Sequence, residues 1–575
     1  MIKINIISSN NYYGLSQDAN IISSILKEKF KSNINLIFVN FFDYQCNYAD
    51  INIFLELVSN ILFKYAPINI LIPNQEWFYK SWIPYLPNFD YILTKSNYAS
   101  DIFRNLTNTE IKYIGWESRD MYDPKYEKDY SEILHLCGKS KYKQTQLIID
   151  AWDDDLPNLN IIYNSKSIDL VKRELKNINY IENRISDEEL KIYINKCGIH
   201  LCTSETEGFG HYINEAKSSK VIVVSTNSKP MNELINNEFG VLVNVDKKKK
   251  LKHTLGNKNI IDILDLKQKI KGILDLEKDK INEMCNKTRL SFLNEKDYFR
   301  KELLSFFSEL FEKIKKNKLS KNINLEKKLN INELPFISIL TPTANRRDLF
   351  KLAIYNFKSI DYPKEKIEWI IIDDGTDSIR DMLPEDNRIK YYYLANKLKL
   401  GEKRNLCISK SNYDYIAFMD DDDYYPSVSL KKRVSYLINS NKNCVFCSTI
   451  GCFDINKYAS IINVPPHQLP FHHRVSEATL CFKKKFWNDR CFKNDSIGAE
   501  AMEFMENREL DCLEISWKDI IVSLLHSKNT STRIARMKEP NGCHFGFSDE
   551  LFLFLTSLDK NSNYNLDNNS YASIP

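Results

Sequence analysis

Up to about residue 245 this chain repeats one pattern, a short β-branched apolar run followed by a stretch of helical periodicity. The runs are IKINII (2–7), INLIFV (34–39), INILIP (68–73), YILTKS (91–96), EILHLC (132–137), LNIIYN (159–164), GIHLCT (198–203) and VIVVST (221–226). A run that is apolar at consecutive positions suits a parallel strand buried on both faces under helices. Such strands alternating with helices specify an α/β fold. The runs are too many for one small sheet, and the polar break DMYDPKYEKDYS (120–131) falls midway. Two Rossmann-like halves are expected, 1–128 and 129–316.

A chain of 575 residues also exceeds one hydrophobic core. From about 258 to 316 the periodicity is helical throughout, and this stretch is expected to return to the first half. The Lys- and Asn-rich segment 317–334 contains no Gly or Pro and reads as a solvated linker. A second α/β pattern fills 335–535, opening with FISILTPTANR (336–346) and IEWIIIDDG (367–375). Residues 536–575 hold one apolar helix, SDELFLFLTSL (548–558), and a polar tail. A net charge of +4 on so long a chain lends nucleic-acid binding no support. No uncharged apolar run is long enough for a membrane span, and MIKINIISSN lacks the regions of a signal peptide. The thirteen cysteines are odd in number and without CxxC spacing, which fits a reduced, cytoplasmic protein rather than a disulfide frame or zinc site.

YIAFMDDDDYYP (415–426) sets four aspartates directly behind an apolar run. If that run is a buried strand, the carboxylates stand at its C-terminal end, where open α/β sheets bind ligands. Two unit charges 4 Å apart interact by about 4 kcal/mol near a protein surface, so the cluster needs positive company. Mg²⁺ or Mn²⁺, bound by a few carboxylates plus substrate phosphates, would supply it; a solvated acidic turn is the plain alternative. IIIDDGTD (370–377) is a second strand with an acidic end, and LGEKRN (400–405) brings Gly, Lys and Arg between the two, where phosphate contacts would be wanted.

These segments, in this order over about 335–530, resemble the nucleotide-sugar-binding half of family 2 glycosyltransferases, which have the GT-A fold. The resemblance implies that Asp373 or Asp374 contacts the nucleotide base. It makes Asp420, Asp421 and Asp422 a DxD motif holding ribose and a metal that bridges the diphosphate, with Asp420, Asp422 and His526 of LLHSKNTSTR (524–533) as its ligands. Arg404 would neutralise the leaving diphosphate. IGAEAMEFMENREL (497–510) is similar to the family's Glu-Asp pair, whose carboxylate deprotonates the acceptor. Glu500 fits the base, Glu503 is the alternative one turn on, and Ala501 stands where the second acid is usual. Transfer by single displacement would invert the anomeric centre. A lone histidine is as often structural as a ligand. PPHQLPFHH (465–473) has no cysteine or carboxylate suitably spaced for zinc and reads as a loop near the acceptor side.

TSETEGFGHYINEAKSSKVIVVST (203–226) carries a Gly-rich turn and two glutamates with seven residues between them. Backbone N–H groups of such a turn, at a helix N-terminus, can approach a diphosphate closely. The stretch resembles the C-terminal half of GT-B retaining glycosyltransferases of the family 4 type. That resemblance implies Glu207 near the donor sugar, Gly208, Phe209 and Gly210 in the donor turn, and Glu215 on the ribose. In HLCGKSKYKQT (135–145) it implies Lys139 and Lys143 on the diphosphate, Lys139 replacing the family's Arg. No metal is needed there, since lysines and helix dipole take its place. The first half is more divergent: no histidine precedes His135, and Glu76 of IPNQEWF (72–78) is its polar candidate. The lysine run DKKKKLKH (246–253) reads as a solvated loop rather than a lipid patch.

Together these readings give an α/β chain with two Rossmann-like halves (GT-B) followed by a separate GT-A α/β domain with a mixed sheet. The expected function is bifunctional glycosyl transfer, retaining and metal-independent in the first module, inverting and Mn²⁺- or Mg²⁺-dependent in the second. The partners would be nucleotide-sugar donors and a glycan or glycoconjugate acceptor; the oligomeric state is open. One rival keeps a single live module beside an acceptor-binding or assembly domain. Another is a non-catalytic glycan- or nucleotide-sugar-binding protein.

Overall fold

A computed structural model describes residues 1–9, 14–41, 46–182, 185–317, 329–496, 498–529, 537–538 and 545–559. The chain divides into two compact units, Met1–Asn322 and Ile323–Pro575. Most of the expected linker, and the polar tail after residue 559, lie outside the described residues.

The first unit holds two six-stranded parallel sheets. In the first, the strands run in the spatial order Ile34–Asn40, Ile2–Ser8, Ile51–Leu55, Ile68–Ile72, Tyr91–Thr94 and Glu110–Tyr113. In the second the order is Val241–Val243, Ile222–Thr226, Cys197–Cys202, Asp129–Gly138, Asn158–Tyr163 and Ile178–Glu182. In each sheet the strand order reverses once, beside Ile2–Ser8 and beside Asp129–Gly138. A crevice opens at such a reversal, outside the carboxyl ends of the strands. The helix Lys278–Asn317 spans both halves. Its Ile281 and Cys285 pack in the core of the second sheet, while Phe299, Leu303, Phe307 and Leu310 join Ile4 and Ile6 in the core of the first. At 1.5 Å per residue its 40 residues are long enough to do so.

The lysine run differs from its expected loop. Val245–Lys250 forms an antiparallel hairpin with Asn257–Ile261, its lysines exposed. The hairpin tip meets the first half: Lys80 N donates to the His253 carbonyl at 2.9 Å, and Leu255 N to that of Phe78 at 3.1 Å. Backbone pairing, which needs no apolar side chain, holds these lysines in a strand.

The second unit is built on a mixed seven-stranded sheet, in the order Ile389–Tyr393, Ile367–Asp373, Ile337–Thr343, Tyr415–Phe418, Ser476–Lys483, Cys444–Cys447 and Cys512–Glu514. The first four strands are parallel, and Ser476–Lys483 runs antiparallel to Tyr415–Phe418. A five-stranded sheet begins with Asp423–Tyr424, paired antiparallel to Val522–Leu525. The aspartate run therefore lies where one sheet hands over to the other, and this pairing carries His526 to Asp422. No helix among the described residues is long and apolar enough to cross a membrane.

Candidate functional site

In the first unit the carboxyl edges of the two sheets meet. The glycine-rich turn after Cys197–Cys202 presses so closely on the first half that a Cβ at Gly208 would lie 2.6 Å from Asn74 Cγ. Gly210, with φ 98°, caps the helix His211–Ser218 in a conformation other residues rarely adopt. Gln75 Nε2 donates to the Glu207 carbonyl at 2.6 Å. Lys143 Nζ pairs with the Glu207 carboxylate and lies 3.3 Å from the centre of the Tyr212 ring. Glu215 accepts from Gln17 Nε2 at 3.3 Å and from Arg119 Nε at 3.1 Å. Phe209 is buried in the core, and Lys139 is exposed just beyond the strand Asp129–Gly138.

A histidine does reach the first half, from the second. His211 Nε2 lies 2.8 Å from Asp18 Oδ1, and its Nδ1 2.8 Å from Ser118 Oγ. Asp18 is buried and also receives Lys95 Nζ at 2.5 Å and Trp116 Nε1 at 2.7 Å. Burial opposes its charge, but Lys95 and His211 outweigh burial and hold its pKa at about 2. Glu56 goes the other way. Its burial outweighs the hydrogen bond from Asn74 and pushes it up to about 7, on a backbone at φ 66°. Glu76 rises well above the usual range through burial and the carboxylates of Glu56 and Glu207. Its Oε2 is buried without a hydrogen-bond partner among the described residues. Gln17, Asp18, Glu56, Lys95 and His211 were not foreseen. Asp18 left a signal, a carboxylate on the same buried helix stripe as Leu15, Ala19 and Ile22.

In the second unit each aspartate of the run is partnered, Asp421 and Asp422 sharing one nitrogen of Arg346. Asp420 is gripped by both terminal nitrogens of Arg404, at 3.1 and 3.2 Å, while Arg404 Nε donates to Glu500 at 2.5 Å. Asp421 accepts from Thr343 Oγ1 at 2.5 Å and from Arg346 NH1 at 2.8 Å. Its burial, with Asp422 adding to it, outweighs Arg346 and lifts it to about 6. Asp422 Oδ2 lies 2.8 Å from the same Arg346 nitrogen and 3.3 Å from His526 Nε2. Asp423 turns inward and accepts from Ser523 Oγ at 2.5 Å. Asp373 is fully enclosed, accepting from Gly375 N, Ile379 N and the Tyr391 hydroxyl. Asp374 pairs with the buried Lys403. Glu500 is buried, whereas Glu503 faces solvent in a pair with Lys493 at 3.0 Å. Arg346 and Glu477 (beside Glu500) were not named from sequence, and Lys403, the lysine of LGEKRN, pairs with Asp374. Arg346 lies within FISILTPTANR, directly after the first strand of this unit.

Among the described residues no three His, Cys, Asp or Glu side chains are arranged to hold a metal ion. Asp422 Oδ2 and His526 Nε2 lie 3.3 Å apart, with Arg346 NH1 2.8 Å from the same oxygen and His526 Nδ1 accepting from Lys528 N. A divalent ion there would have to displace the Arg346 contact, shift the imidazole proton and take its remaining ligands from substrate phosphates and water.

Residues 126–291 match the family described as Glycosyl transferases group 1, and residues 338–484 match Glycosyl transferase family 2. An uncharacterized glycosyltransferase of Haemophilus influenzae is 28% identical over 128 residues, 20% of this chain and 50% of its own length. The GalNAc(5)-diNAcBac-PP-undecaprenol beta-1,3-glucosyltransferase of Campylobacter jejuni is 28% identical over 96 residues, 16% of this chain and 30% of its own. The chain thus spans half or less of the length of these curated relatives. Sucrose-phosphate synthase from Thermosynechococcus elongatus aligns in structure at 10% identity, over 54% of this chain and 100% of its own, with a TM-score of 0.42. By the two family matches, the chain carries a glycosyl transferases group 1 module over residues 126–291 followed by a glycosyl transferase family 2 module over residues 338–484.

Proposed function

We propose that the chain transfers sugars from nucleotide-sugar donors to a glycan or glycoconjugate, with one active site in each module. The observation that carries this reading is the buried Arg404, held on Asp420 and Glu500 at the carboxyl ends of the parallel strands of the mixed sheet. A fixed guanidinium there would stabilise charge developing on a leaving diphosphate. Asp422 and His526 would hold Mg²⁺ or Mn²⁺, which when bound supplies Lewis-acid stabilisation of the same charge. Arg346 fixes the rotamers of Asp421 and Asp422, and Asp374 and Lys403 line the donor side.

In the first module Lys143, the 207–210 turn and Glu215 would bind diphosphate and ribose without metal, and inversion or retention would differ between the modules. What supports two sites is that each unit gathers its own buried, charged constellation at its own strand-order reversal or sheet junction. The test is nucleoside-diphosphate release by the full chain with a panel of donors, with and without EDTA. Asp422→Ala is expected to lower the metal-stimulated fraction by about 10²-fold or more and to leave the chelator-resistant fraction in place. Equal metal stimulation in wild type and Asp422→Ala would refute the assignment.

A further inference from the structure

The acceptor hydroxyl in the second module needs a base, and the geometry around Glu500 does not favour Glu500. Its carboxylate is buried and receives Arg404 Nε at 2.5 Å, while the same guanidinium grips Asp420. To turn toward an acceptor it would have to release the guanidinium it holds in place. Glu503 stands in solvent, paired with Lys493.

Glu477 is placed differently. It lies near the start of the strand Ser476–Lys483, next in the sheet to Tyr415–Phe418, whose end carries the aspartates. The Tyr425 hydroxyl ties the two together, accepting from Asp420 N at 3.0 Å and donating to the Ala478 carbonyl at 2.9 Å. One Glu477 oxygen meets Ala501 N at a long 3.4 Å, and Glu477 forms no ion pair among the described residues. The residue is half-buried, and its carboxylate lies beside the charged cluster of Arg404 and Glu500.

We propose that Glu477 is the catalytic base of the family 2 module, with Glu500 a positioning residue that anchors Arg404. This rests on the glycosyl-transfer reading of that module. In the step, a lone pair of the acceptor oxygen forms the bond to the anomeric carbon. The bond from that carbon to the diphosphate oxygen breaks, its electron pair leaving on the nucleoside diphosphate, and the hydroxyl proton ends on Glu477. The charged groups facing Glu477 are Glu500 and Arg404. Burial first, then the Glu500 charge, outweigh Arg404 and lift Glu477 to about 7, where a general base is most effective.

The experiment uses the full chain. Metal-stimulated transfer is followed from pH 5 to 9 in wild type, Glu477→Gln and Glu477→Asp, with binding of the nucleoside diphosphate titrated in parallel. The expected result for Glu477→Gln is a kcat lower by about 10²–10⁴-fold, with nucleoside-diphosphate binding within a few-fold of wild type and the acidic limb of the pH profile gone. Glu477→Asp, which keeps a carboxylate, should restore part of the rate and the limb. A purely structural Glu477 would move stability and leave the limb. Unchanged kcat and pH profile in Glu477→Gln, with binding intact, would overturn the base assignment alone. A wild type that binds no nucleoside diphosphate in this module would overturn the glycosyl-transfer reading and the assignment with it.

Discussion

At the scale of single residues, both modules hold carboxylates whose environments push them apart. Asp18 is held at about 2 by Lys95 and His211, while Glu56, beside the same lysine, is lifted to about 7 because burial dominates. A carboxyl whose folded pKa lies above its unfolded value adds stability that is complete below the unfolded pKa and is lost as pH rises through the folded one. For Glu56 that window runs from the ordinary glutamate value up to about 7. Glu56→Gln, a neutral isostere that can still accept from Asn74, should therefore raise Tm at pH 8 and change it little at pH 5. Differential scanning calorimetry at both pH values checks this, and an equal shift at both would contradict it. Residues of this kind were only partly legible in the sequence. Those inside a patterned motif stood out: Asp420 to Asp422 because charge at a strand end is unusual, Glu207 and Glu215 because of their spacing around a Gly-rich turn. Asp18, Glu56 and Arg346 act through partners far along the chain, and local spacing does not reveal such partners.

At the scale of elements, the eight apolar runs all became strands, since consecutive apolar residues can be buried on both faces only inside a covered sheet. Ile178–Glu182 and Glu110–Tyr113, at sheet edges, were missed because an edge strand needs less apolar surface. The lysine-rich hairpin was missed for the same kind of reason, being held by backbone pairing and by its tip against Phe78 and Lys80. The helix Lys278–Asn317 was legible as helix from its periodicity, and its length lets it serve both sheets of the first unit. Phe307 on that helix is fully buried in the core of the first sheet. Phe307→Ala should cost about 3–5 kcal/mol. The first unit should then unfold at lower temperature in a thermal scan while the second keeps its midpoint. A single transition shifted as a whole would mean that the two units melt together.

At the scale of the whole molecule, the two units have separate cores, and the last residues of the expected linker belong to the second unit, where Leu329 and Leu334 pack in its core. The central claim is that the chain carries two independent donor sites built on different chemistry. The most direct measurement is equilibrium titration of the full chain with nucleoside diphosphates, in Mn²⁺ and in EDTA, for wild type, Glu215→Ala and Asp422→Ala. The expected result is two classes of site. One depends on metal and is lost in Asp422→Ala; the other ignores chelation and weakens about 10–100-fold in Glu215→Ala, as the loss of hydrogen bonds to a charged group implies. A single class of site, or one substitution abolishing both, would contradict the account.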